Sequence, residues 1–314
     1  MPPDANSELL STDEEAELLE GLGAAGFDVT VVGDCGHLLR NPDTWRSRCD
    51  LVFNRSVGYK GSERKALAAS ILEAAGIAYT GSRPYALELT RNKYHAKLVA
   101  ADAGARTPPA VLVLPDTPKT ALDRLPYPVI VKPNNESSSI GVSPRGIVHN
   151  PADAHAYAMS IIEAYRQPAI AEGFVEGPEL EVPVMVDPET RALGVCAVKI
   201  AGRYVESDMI LSSETVYDDS YDNVAPPPGI DVERVGAEAV RIARALSIRD
   251  YGRVDFRVPR DATPMFIECS THPHIQRHSS FFAVALRHGM SYADMLRMIV
   301  RGSMMRYDPA GTRV

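Results

Sequence analysis

The sequence predicts an α/β region at the N-terminus followed by two α+β regions. Helices and strands alternate through residues 1–82, whereas most later strands follow one another across short turns. Alternating strands and helices are typical of a parallel sheet, and strands joined by short turns are typical of antiparallel pairs. The length of 314 residues corresponds to about two domains of ordinary size.

The N-terminal region is predicted to contain two helices and three short strands. Both helices end at a glycine, Gly26 or Gly76, which is a common C-terminal stop. The apolar period of the second helix predicts a shared face for Leu67, Ile71 and Ala74. The predicted elements are helices over residues 13–25 and 63–75, strands over 27–33, 50–54 and 77–82, and a polar loop over 55–63.

The rest of the chain is predicted to form helices and paired strands. The helices are expected over 85–103, 151–166, 231–247 and 292–301, and the strands over 107–115, 127–133, 170–177, 179–187, 194–206, 252–258 and 265–270. The 231–247 helix carries one apolar stripe, made of Val235, Ala239, Ile242 and Leu246. Residues 205–229 show no period and are predicted to be a long loop. We expect domains at 1–84, 85–180 and 181–314.

Composition and charge exclude several classes of protein. The net charge of −8, from 33 basic and 41 acidic residues, argues against a general nucleic-acid-binding protein. No segment approaches the roughly 20 apolar residues that span a bilayer, and the acidic start lacks the features of a secretory signal. The four cysteines form no CxxC pair. We therefore expect a cytoplasmic protein without nucleic-acid or membrane partners.

Two strands near the C-terminus carry the strongest chemical signal. Side-chain alternation puts Arg253 and Asp255 on one face of the first strand, and Phe266, Glu268 and Ser270 on one face of the second. If the strands pair, Asp255 and Glu268 converge on one polar site. Taken alone, the pair favours an ion-pair cluster with the arginine. The alternative is a Mg²⁺ site, because Mg²⁺ binds one or two carboxylates together with substrate phosphates.

Two further segments could bind a nucleotide. Lys132 ends an apolar strand and precedes three serines and Gly141, so backbone N–H groups and hydroxyls could surround a polyphosphate. A flexible linker explains this segment equally well, and it matches neither a Walker loop nor GxGxxG. Glu172 and Glu179 could bind an adenine amine and ribose hydroxyls, although two exposed glutamates are the better interpretation of that pair alone.

Together these segments resemble the ATP-grasp superfamily, in its D-alanine–D-alanine ligase branch. The resemblance rests on six stretches in family order: ILEAAGIAYTGS, RNKYHAKLVAADAGARTP, VIVKPNNESSSIGVS, AEGFVEGPELEV, GRVDFRV and FIECSTHP followed by HSS. They cover most of residues 51–300. The resemblance implies an ATP-grasp fold, in which a small α/β domain precedes two α+β subdomains that enclose ATP.

The resemblance also implies a set of residues that bind ATP and Mg²⁺. The expected ATP contacts are Lys97, Lys132, Glu136, Ser137, Ser138, Ser139, Glu172, Gly173, Phe174, Val175 and Glu179. Two Mg²⁺ ions are expected on Asp255, Glu268 and Ser270. The resemblance implies catalytic roles for Arg253, Ser138 and Tyr221, and places Ser279 and Ser280 near the substrate. Because His272, His274 and His278 stand close together in the same segment, we also expect a catalytic role for His274 and substrate contacts for His272 and His278. The resemblance further implies amino-acid or peptide substrates and a homodimer.

The sequence departs from the family where substrates bind. Ser270 replaces the usual asparagine ligand, and His274 replaces a glycine of the oxyanion region. The three nearby histidines could serve as a base, bind a metal or simply pack. No Gly-Gly-x-Ser-x-Glu loop occurs before residue 11, and 205–229 lacks a clear match to the family's lysine, although Tyr217 and Tyr221 could match its tyrosines.

These departures favour a ligase that joins or cyclises amino acids other than two D-alanines, in specialised metabolism. The alternatives are an ordinary D-alanine–D-alanine ligase, a silent nucleotide-binding protein and a kinase of small molecules.

Overall fold

The computed structural model describes residues 9–58, 64–261 and 263–308. The helices are Thr12–Ala24 (α1), Cys35–Arg40 (α2), Pro42–Arg48 (α3), Ala66–Ala75 (α4), Pro84–Arg91 (α5), Lys93–Asp102 (α6), Pro151–Tyr165 (α7), Ser213–Tyr217 (α8), Val232–Ala245 (α9), Ser280–Arg287 (α10) and Tyr292–Met305 (α11). The strands are Ala110–Val113 (β1), Val129–Pro133 (β2), Ile147–Val148 (β3), Ala169–Gly173 (β4), Glu179–Val186 (β5), Thr190–Ala192 (β6), Cys196–Ile200 (β7), Arg203–Tyr204 (β8), Tyr221–Val224 (β9), Tyr251–Arg257 (β10) and Met265–Ser270 (β11). Within these ranges, no helix is long and apolar enough to cross a membrane.

The N-terminal region corrects the parallel sheet predicted there. Residues 27–33 form no strand, because no described segment pairs with them, and Val31 is 55 % exposed. The other two predicted strands meet in a single parallel bridge between Val52 and Tyr79. Helices α2 and α3 occupy much of the intervening segment, and Leu38, Trp45 and Tyr79 belong to one buried cluster with α4.

Helix α4 forms where expected, but its predicted face is wrong. Leu67 is 40 % exposed, whereas Leu72 is fully buried together with Ala68 and Ala69. Both stripes of this helix are apolar, so its period does not decide which of them packs inward. The start predicted at residue 63, and the end of the polar loop at 59–63, lie outside the described residues.

The single helix predicted over 85–103 is divided into α5 and α6 at Asn92. Asn92 leaves the helical conformation with a ψ of 96°, and its side chain accepts a hydrogen bond from the His95 backbone N–H at 3.0 Å. This capping contact starts a new helix, which is a common role of asparagine. Lys93 and Lys97 are therefore one turn apart on α6.

Two antiparallel sheets form the rest of the core, which confirms the predicted α+β regions. The first has the order β1-β4-β2-β3, and the second has the order β11-β10-β5-β7-β8, with β6 beside β5 and β9 beside β7. The second sheet packs against α9, whose predicted stripe of Val235, Ala239, Ile242 and Leu246 is buried as expected.

Strands β10 and β11 pair antiparallel, as predicted. Arg253 lies opposite Ser270, and Asp255 lies opposite Glu268. An irregularity follows, because Phe256 lies opposite Phe266 rather than Ile267. This extra residue reverses the alternation, so Phe266 joins the apolar core instead of the Glu268 face. The predicted grouping of Phe266 with Glu268 is therefore wrong.

The segment 205–229 is more ordered than the predicted loop. It contains α8 and β9, and β9 pairs with β7 from Val224 opposite Ala197 to Tyr221 opposite Ile200. The Ser213 backbone N–H donates to the Val142 carbonyl at 3.0 Å, which ties α8 to the loop after β2. The C-terminus also has one helix more than predicted, since α10 precedes α11.

Candidate active site

A cleft of about 790 Å³ lies at the polar face of β10 and β11. Its walls come from the start of α1, the Ser137–Ser139 loop, the α8–β9 segment and the loop after β11. A smaller cavity of about 70 Å³ shares Lys93, Asp255 and Glu268 with the cleft. The two spaces therefore adjoin at these charged side chains.

The interior next to the small cavity contains a buried triad of Lys97, Glu172 and Lys132. Glu172 is 1 % exposed, and its carboxylate lies 2.7 Å from the Lys97 Nζ atom and 2.8 Å from the Lys132 Nζ atom. Lys97 also donates to the Ile267 carbonyl at 2.7 Å. Its ammonium group is thus bound between β4 and β11.

Burial and charge act in opposite directions within the triad. Burial would raise the pKa of Glu172, but the two ammonium groups outweigh it and keep the pKa below its ordinary value. Burial lowers the pKa of Lys97. For Lys132, burial acts in the same direction, but Glu172 outweighs it and raises the pKa. The carboxylate is therefore held ionised by its two partners.

The small cavity has both apolar and charged walls. Seven apolar side chains line part of it: Ile130, Ile140, Val142, Phe174, Ile210, Leu211 and Ile267. The backbone N–H groups of Gly173 and Phe174 already donate to the carbonyls of Pro109 and Pro128. The Val175 carbonyl accepts from Arg257 at 3.0 Å. At the rim, Glu179 forms an ion pair with Arg257 at 3.2 Å, and burial raises the pKa of Glu179.

Arg253, Asp255 and Glu268 form a charged cluster between the two spaces. Arg253 binds Asp255 through two hydrogen bonds of 2.8 and 2.7 Å and lies 3.3 Å from Glu181. Glu268 lies 3.1 Å from the Lys93 Nζ atom. Asp255 and Glu268 therefore fit both interpretations made from the sequence. They form ion pairs with cations, and they share one cavity wall, as a Mg²⁺ site would require.

The same cluster suits a magnesium ion. Burial raises the pKa of Asp255, and Lys93 and Lys132 lower the pKa of Glu268 although burial opposes them. Among the described residues, no group of three or more His, Cys, Asp or Glu side chains has the arrangement of a metal site. Two carboxylates with the Ser270 hydroxyl still fit Mg²⁺, which completes its oxygen coordination with phosphates and water.

The loop after β2 is built to curve around the cleft. Ser138 and Ser139 adopt left-handed backbone conformations with φ near 54° and 53°. Gly141 has a φ of 72°, and a Cβ atom there would lie 2.5 Å from the Pro133 ring. Ser137, Ser138 and Ser139 all line the cleft, and Lys65 donates to the Ser137 hydroxyl.

Glu136 anchors this loop. Its carboxylate accepts hydrogen bonds from Arg64 at 3.1 Å, Arg91 at 3.0 Å and Gln167 at 2.7 Å. The Lys93 ammonium group donates to the Glu136 backbone carbonyl. Glu136 therefore connects the N-terminal region, α5 and the loop, besides lining the cleft as the resemblance implied.

The three histidines line the cleft but contact different elements. His274 Nε2 lies 2.9 Å from Glu14 of α1, His278 forms an ion pair with Asp219, and His272 packs beside Gly81. The Tyr221 ring lies 4.9 Å from the His278 ring. Among the described residues, the three histidines do not form a metal-binding group.

Ser279 and Ser280 are not brought to the cleft. The Ser279 side chain caps α10 by accepting a hydrogen bond from the Phe282 backbone N–H at 3.2 Å. Ser280 is 1 % exposed, and neither serine lines the described cleft. Their positions are explained by helix capping and burial.

Comparisons with known proteins agree with this architecture. The model of a protein family described as "D-ala D-ala ligase C-terminus" matches residues 111–301. This match covers more than half of the chain and includes both sheets. The chain belongs to the D-alanine–D-alanine ligase family. It is an ATP-grasp enzyme that forms carbon–nitrogen bonds, and the resemblance found in the sequence is confirmed.

Two relatives of this D-alanine–D-alanine ligase family member show how much of its chain is similar to other proteins. A D-alanine–D-alanine ligase of Bordetella petrii is 34 % identical over 232 residues, which are 73 % of this chain and 69 % of the relative. An uncharacterized protein of Sinorhizobium fredii is 28 % identical over 274 residues, which are 85 % and 78 % of the two chains. The match therefore extends well beyond the C-terminal region.

A solved structure confirms the ATP-grasp fold of this family member. The D-alanine–D-alanine ligase of Bacillus anthracis complexed with ATP superposes with a TM-score of 0.77 at 20 % identity, covering 99 % of this chain and 97 % of that one. At this identity the likeness establishes the fold alone. The superposed part of the chain includes the N-terminal region, although residues 27–33 form no strand here.

Sequence reasoning missed Lys93. Lys93 lines both the cleft and the small cavity, whereas Lys97 belongs to the buried triad and lines neither. The signal was present, because residues four apart on a helix share a face and both lysines follow the cap at Asn92. The helix boundary at Asn92, which the pattern did not reveal, decides which lysine reaches the cleft.

Proposed function

We propose that this enzyme uses ATP and two Mg²⁺ ions to join a carboxylate to an amine through an acyl phosphate. Its substrates are amino acids or peptides other than a pair of D-alanines, and the reaction belongs to specialised metabolism. The observation that carries the proposal is the pairing of Asp255 with Glu268 on one wall of the cleft. Lys93 and Arg253 lie beside them.

The small cavity would hold the base of the nucleotide. Its apolar walls, with Phe174 and Ile267 among them, would cover the flat faces of adenine. Glu179 at the rim would accept hydrogen bonds from ribose hydroxyls, since Arg257 holds its carboxylate in place. The phosphates would then point toward Lys93 and the Ser137–Ser139 loop, where the small cavity adjoins the cleft.

Asp255, Glu268 and Ser270 would hold the magnesium ions. When bound, magnesium would neutralise phosphate charge and polarise the transferred phosphoryl group. Serine offers one neutral oxygen, so we expect the ion nearest to Ser270 to be held more weakly than the other.

Three cations would stabilise the charge that develops during transfer. Arg253 is fixed by Asp255 and Glu181, so its guanidinium group is oriented before substrates bind. Lys93 and Lys132 lie on the side of the small cavity. Fixed cations in a site shielded from water stabilise a transition state without reorganisation, so these side chains would favour formation of the acyl phosphate and attack by the amine.

Two segments would keep water from the acyl phosphate. The Ser137–Ser139 loop and the α8–β9 segment both line the cleft, and the Ser213–Val142 backbone hydrogen bond joins them. The ion pair between His278 and Asp219 holds the turn between α8 and β9 to the loop after β11. Exclusion of water protects a reactive intermediate from hydrolysis.

The substrate end of the cleft supports a change in substrate. Glu14 already accepts a hydrogen bond from His274, so this carboxylate has a partner within the protein before any substrate binds. His274 itself stands where the family carries glycine. These features favour substrates larger or differently charged than two D-alanines, and we also propose that the enzyme acts in the cytoplasm as a homodimer.

The test is Mg²⁺-dependent phosphate release with pools of D- and L-amino acids, followed by mass spectrometry of the products. We expect turnover with a pool other than D-alanine alone. Asp255→Asn and Glu268→Gln should each lower turnover by about 100-fold or more, with unchanged circular dichroism. Asp116→Asn, a substitution at an exposed carboxylate in the turn after β1, is the matched control.

Other outcomes would revise the proposal. A D-alanyl-D-alanine product from D-alanine alone would assign the activity named for the Bordetella petrii relative. Tight ATP binding without turnover on any pool would indicate a silent nucleotide-binding protein. Full turnover by either carboxylate variant would exclude the magnesium assignment.

A further inference from the structure

The side chain of Gln276 carries a buried donor that nothing in the described structure satisfies. Gln276 is 2 % exposed and lines the cleft. Its Oε1 atom accepts a hydrogen bond from the Ile275 backbone N–H at 3.1 Å, which fixes the orientation of the amide. The Nε2 atom has no hydrogen-bond partner among the described residues. Buried donors are rarely left unsatisfied in native proteins without a function.

Arg55 contributes a second unsatisfied donor to the same wall. Its Nη1 atom donates to the carbonyl of Pro273 at 2.9 Å, three residues before Gln276. Its Nε atom is buried and has no partner in the described part of the chain. Arg55 also lines the cleft. Among the described residues, this contact to a neutral carbonyl leaves the positive charge of Arg55 without a carboxylate partner.

The other arginines of the cleft differ from Arg55, because each has a carboxylate partner. Arg253 pairs with Asp255, Arg91 with Glu136 and Arg277 with Glu17, at 2.7, 3.0 and 3.2 Å respectively. Among the described cleft residues, Arg55 is therefore the arginine available to an anion from outside the protein.

The nearby carboxylates do not supply that anion. Of the three acidic side chains that α1 contributes to the cleft, Glu14 contacts His274 and Glu17 contacts Arg277. The third, Asp13, is exposed at the start of the helix. A guanidinium group and an amide N–H₂ group on one wall are donors suited to a carboxylate.

We propose that Arg55 and Gln276 form a subsite for a substrate carboxylate that does not react. The inference rests on the proposed function, since the reacting carboxylate must approach the charged cluster around Asp255. The bound group is either the α-carboxylate of the amine-bearing substrate or a side-chain carboxylate of an acidic amino acid. Both have the same chemistry, and both would match the positive charge of Arg55.

The experiment is calorimetric titration of the full chain with matched acid and amide ligands, in the presence of Mg²⁺ and a non-hydrolysable ATP analogue. Alanine against alaninamide tests the α-carboxylate, and glutamate against glutamine tests a side-chain carboxylate, each in D and L forms. We expect one acid to bind about tenfold or more tightly than its amide. Arg55→Gln and Gln276→Leu should each reduce this preference to about threefold or less.

Two further variants keep the result interpretable. Arg55→Lys retains the charge with fewer donors, and we expect it to retain part of the preference. Arg277→Gln removes a cleft arginine already matched by Glu17, and we expect it to leave the preference unchanged. Thermal melting of each variant separates loss of binding from loss of folding.

The outcomes separate this subsite from the proposed function. A wild-type protein without acid preference in any pair overturns the subsite, and so does a preference that survives in both Arg55→Gln and Gln276→Leu. Failure of the ATP analogue to bind contradicts the proposed function instead. The titrations are therefore repeated without nucleotide, so that the acid preference is measured in either case.

Discussion

The two ends of the cleft are built in different ways. At the end next to the small cavity, Lys132 and Glu172 lie on the paired strands β2 and β4, and Asp255 and Glu268 lie on the paired strands β10 and β11. The proximity within each pair follows from strand register. At the other end, contacts join residues far apart in sequence. Glu14 meets His274 across 260 positions, and Arg55 meets Pro273 across 218. The first end is thus built on strand register, to which α6 adds the contacts of Lys93 and Lys97, and the second is built on contacts of α1 and the loops.

The position of α1 controls that second end. Gly21 packs so closely on α11 that a Cβ atom there would lie 2.5 Å from the Tyr292 ring. Arg297 donates to the Ala25 carbonyl at 3.0 Å, and Leu18 and Leu22 belong to the apolar cluster around α11. A shift of α1 on α11 would therefore move the residues at the substrate end and leave the strands beneath the small cavity in place.

The largest effect is expected from Glu172→Ala. Removal of this carboxylate leaves Lys97 and Lys132 buried without their partner, and breaking a buried ion pair in this way costs about 3–5 kcal/mol. We expect that loss in the free energy of unfolding, measured by urea denaturation without nucleotide. Glu163→Ala, at an exposed position of α7, should change it by less than about 0.5 kcal/mol. A loss below about 1 kcal/mol would show that the triad contributes little to stability.

A second effect distinguishes the two lysines of α6. Lys93→Met removes a cation from the cleft, so we expect turnover to fall by about 10²–10³-fold. We expect a smaller loss of stability than in Lys97→Met, because Glu268, the partner of Lys93, is more exposed than Glu172. Lys97→Met removes a buried ammonium group from the triad, so we expect it mainly to lower the free energy of unfolding. Turnover and urea denaturation of both variants provide the measurement. The same loss of turnover in both, without loss of stability in either, would restore the role that the resemblance implied for Lys97.

The sequence predicted best what depends on strand alternation. The pairing of Asp255 with Glu268 followed from a period of two and one turn, and it is observed. The irregularity opposite Phe256 was not predictable, because an extra residue in a strand leaves no mark in the apolar pattern. The prediction of which face of α4 is buried was wrong for a similar reason, since both of its stripes are apolar.

The substrate end was the least predictable part. The partner of His274 is Glu14, and no pattern in the sequence connects two residues on α1 and on the loop after β11. Asn92 did carry a signal, as a residue type that favours helix caps, but it stands inside a continuous helical period. Arg55 and Gln276 carried none, because what distinguishes each is one buried donor atom without a hydrogen-bond partner among the described residues.

The smallest effect is expected from the contact between Glu14 of α1 and His274 in the loop after β11. The hydrogen bond with His274 lowers the pKa of Glu14 from its ordinary value of 4.5 to about 2. Because the folded-state pKa is depressed, the contact stabilises the protein fully above about pH 5, and this stabilisation is lost as the pH falls toward 2. Glu14 is partly exposed, so we expect the effect on the free energy of unfolding to be below about 1 kcal/mol.

Glu14→Gln should therefore flatten the dependence of the melting temperature on pH between about pH 5 and 2, and leave it unchanged in shape at higher pH. Glu20→Gln, at an exposed position of the same helix, is the matched control and should behave like the wild type. A wild-type curve that runs parallel to that of Glu14→Gln throughout this range would show that the His274 contact does not hold α1 against the loop after β11. In that case the packing of Gly21 on Tyr292 alone would position the substrate end, and substitutions at His274 would alter substrate preference without altering stability.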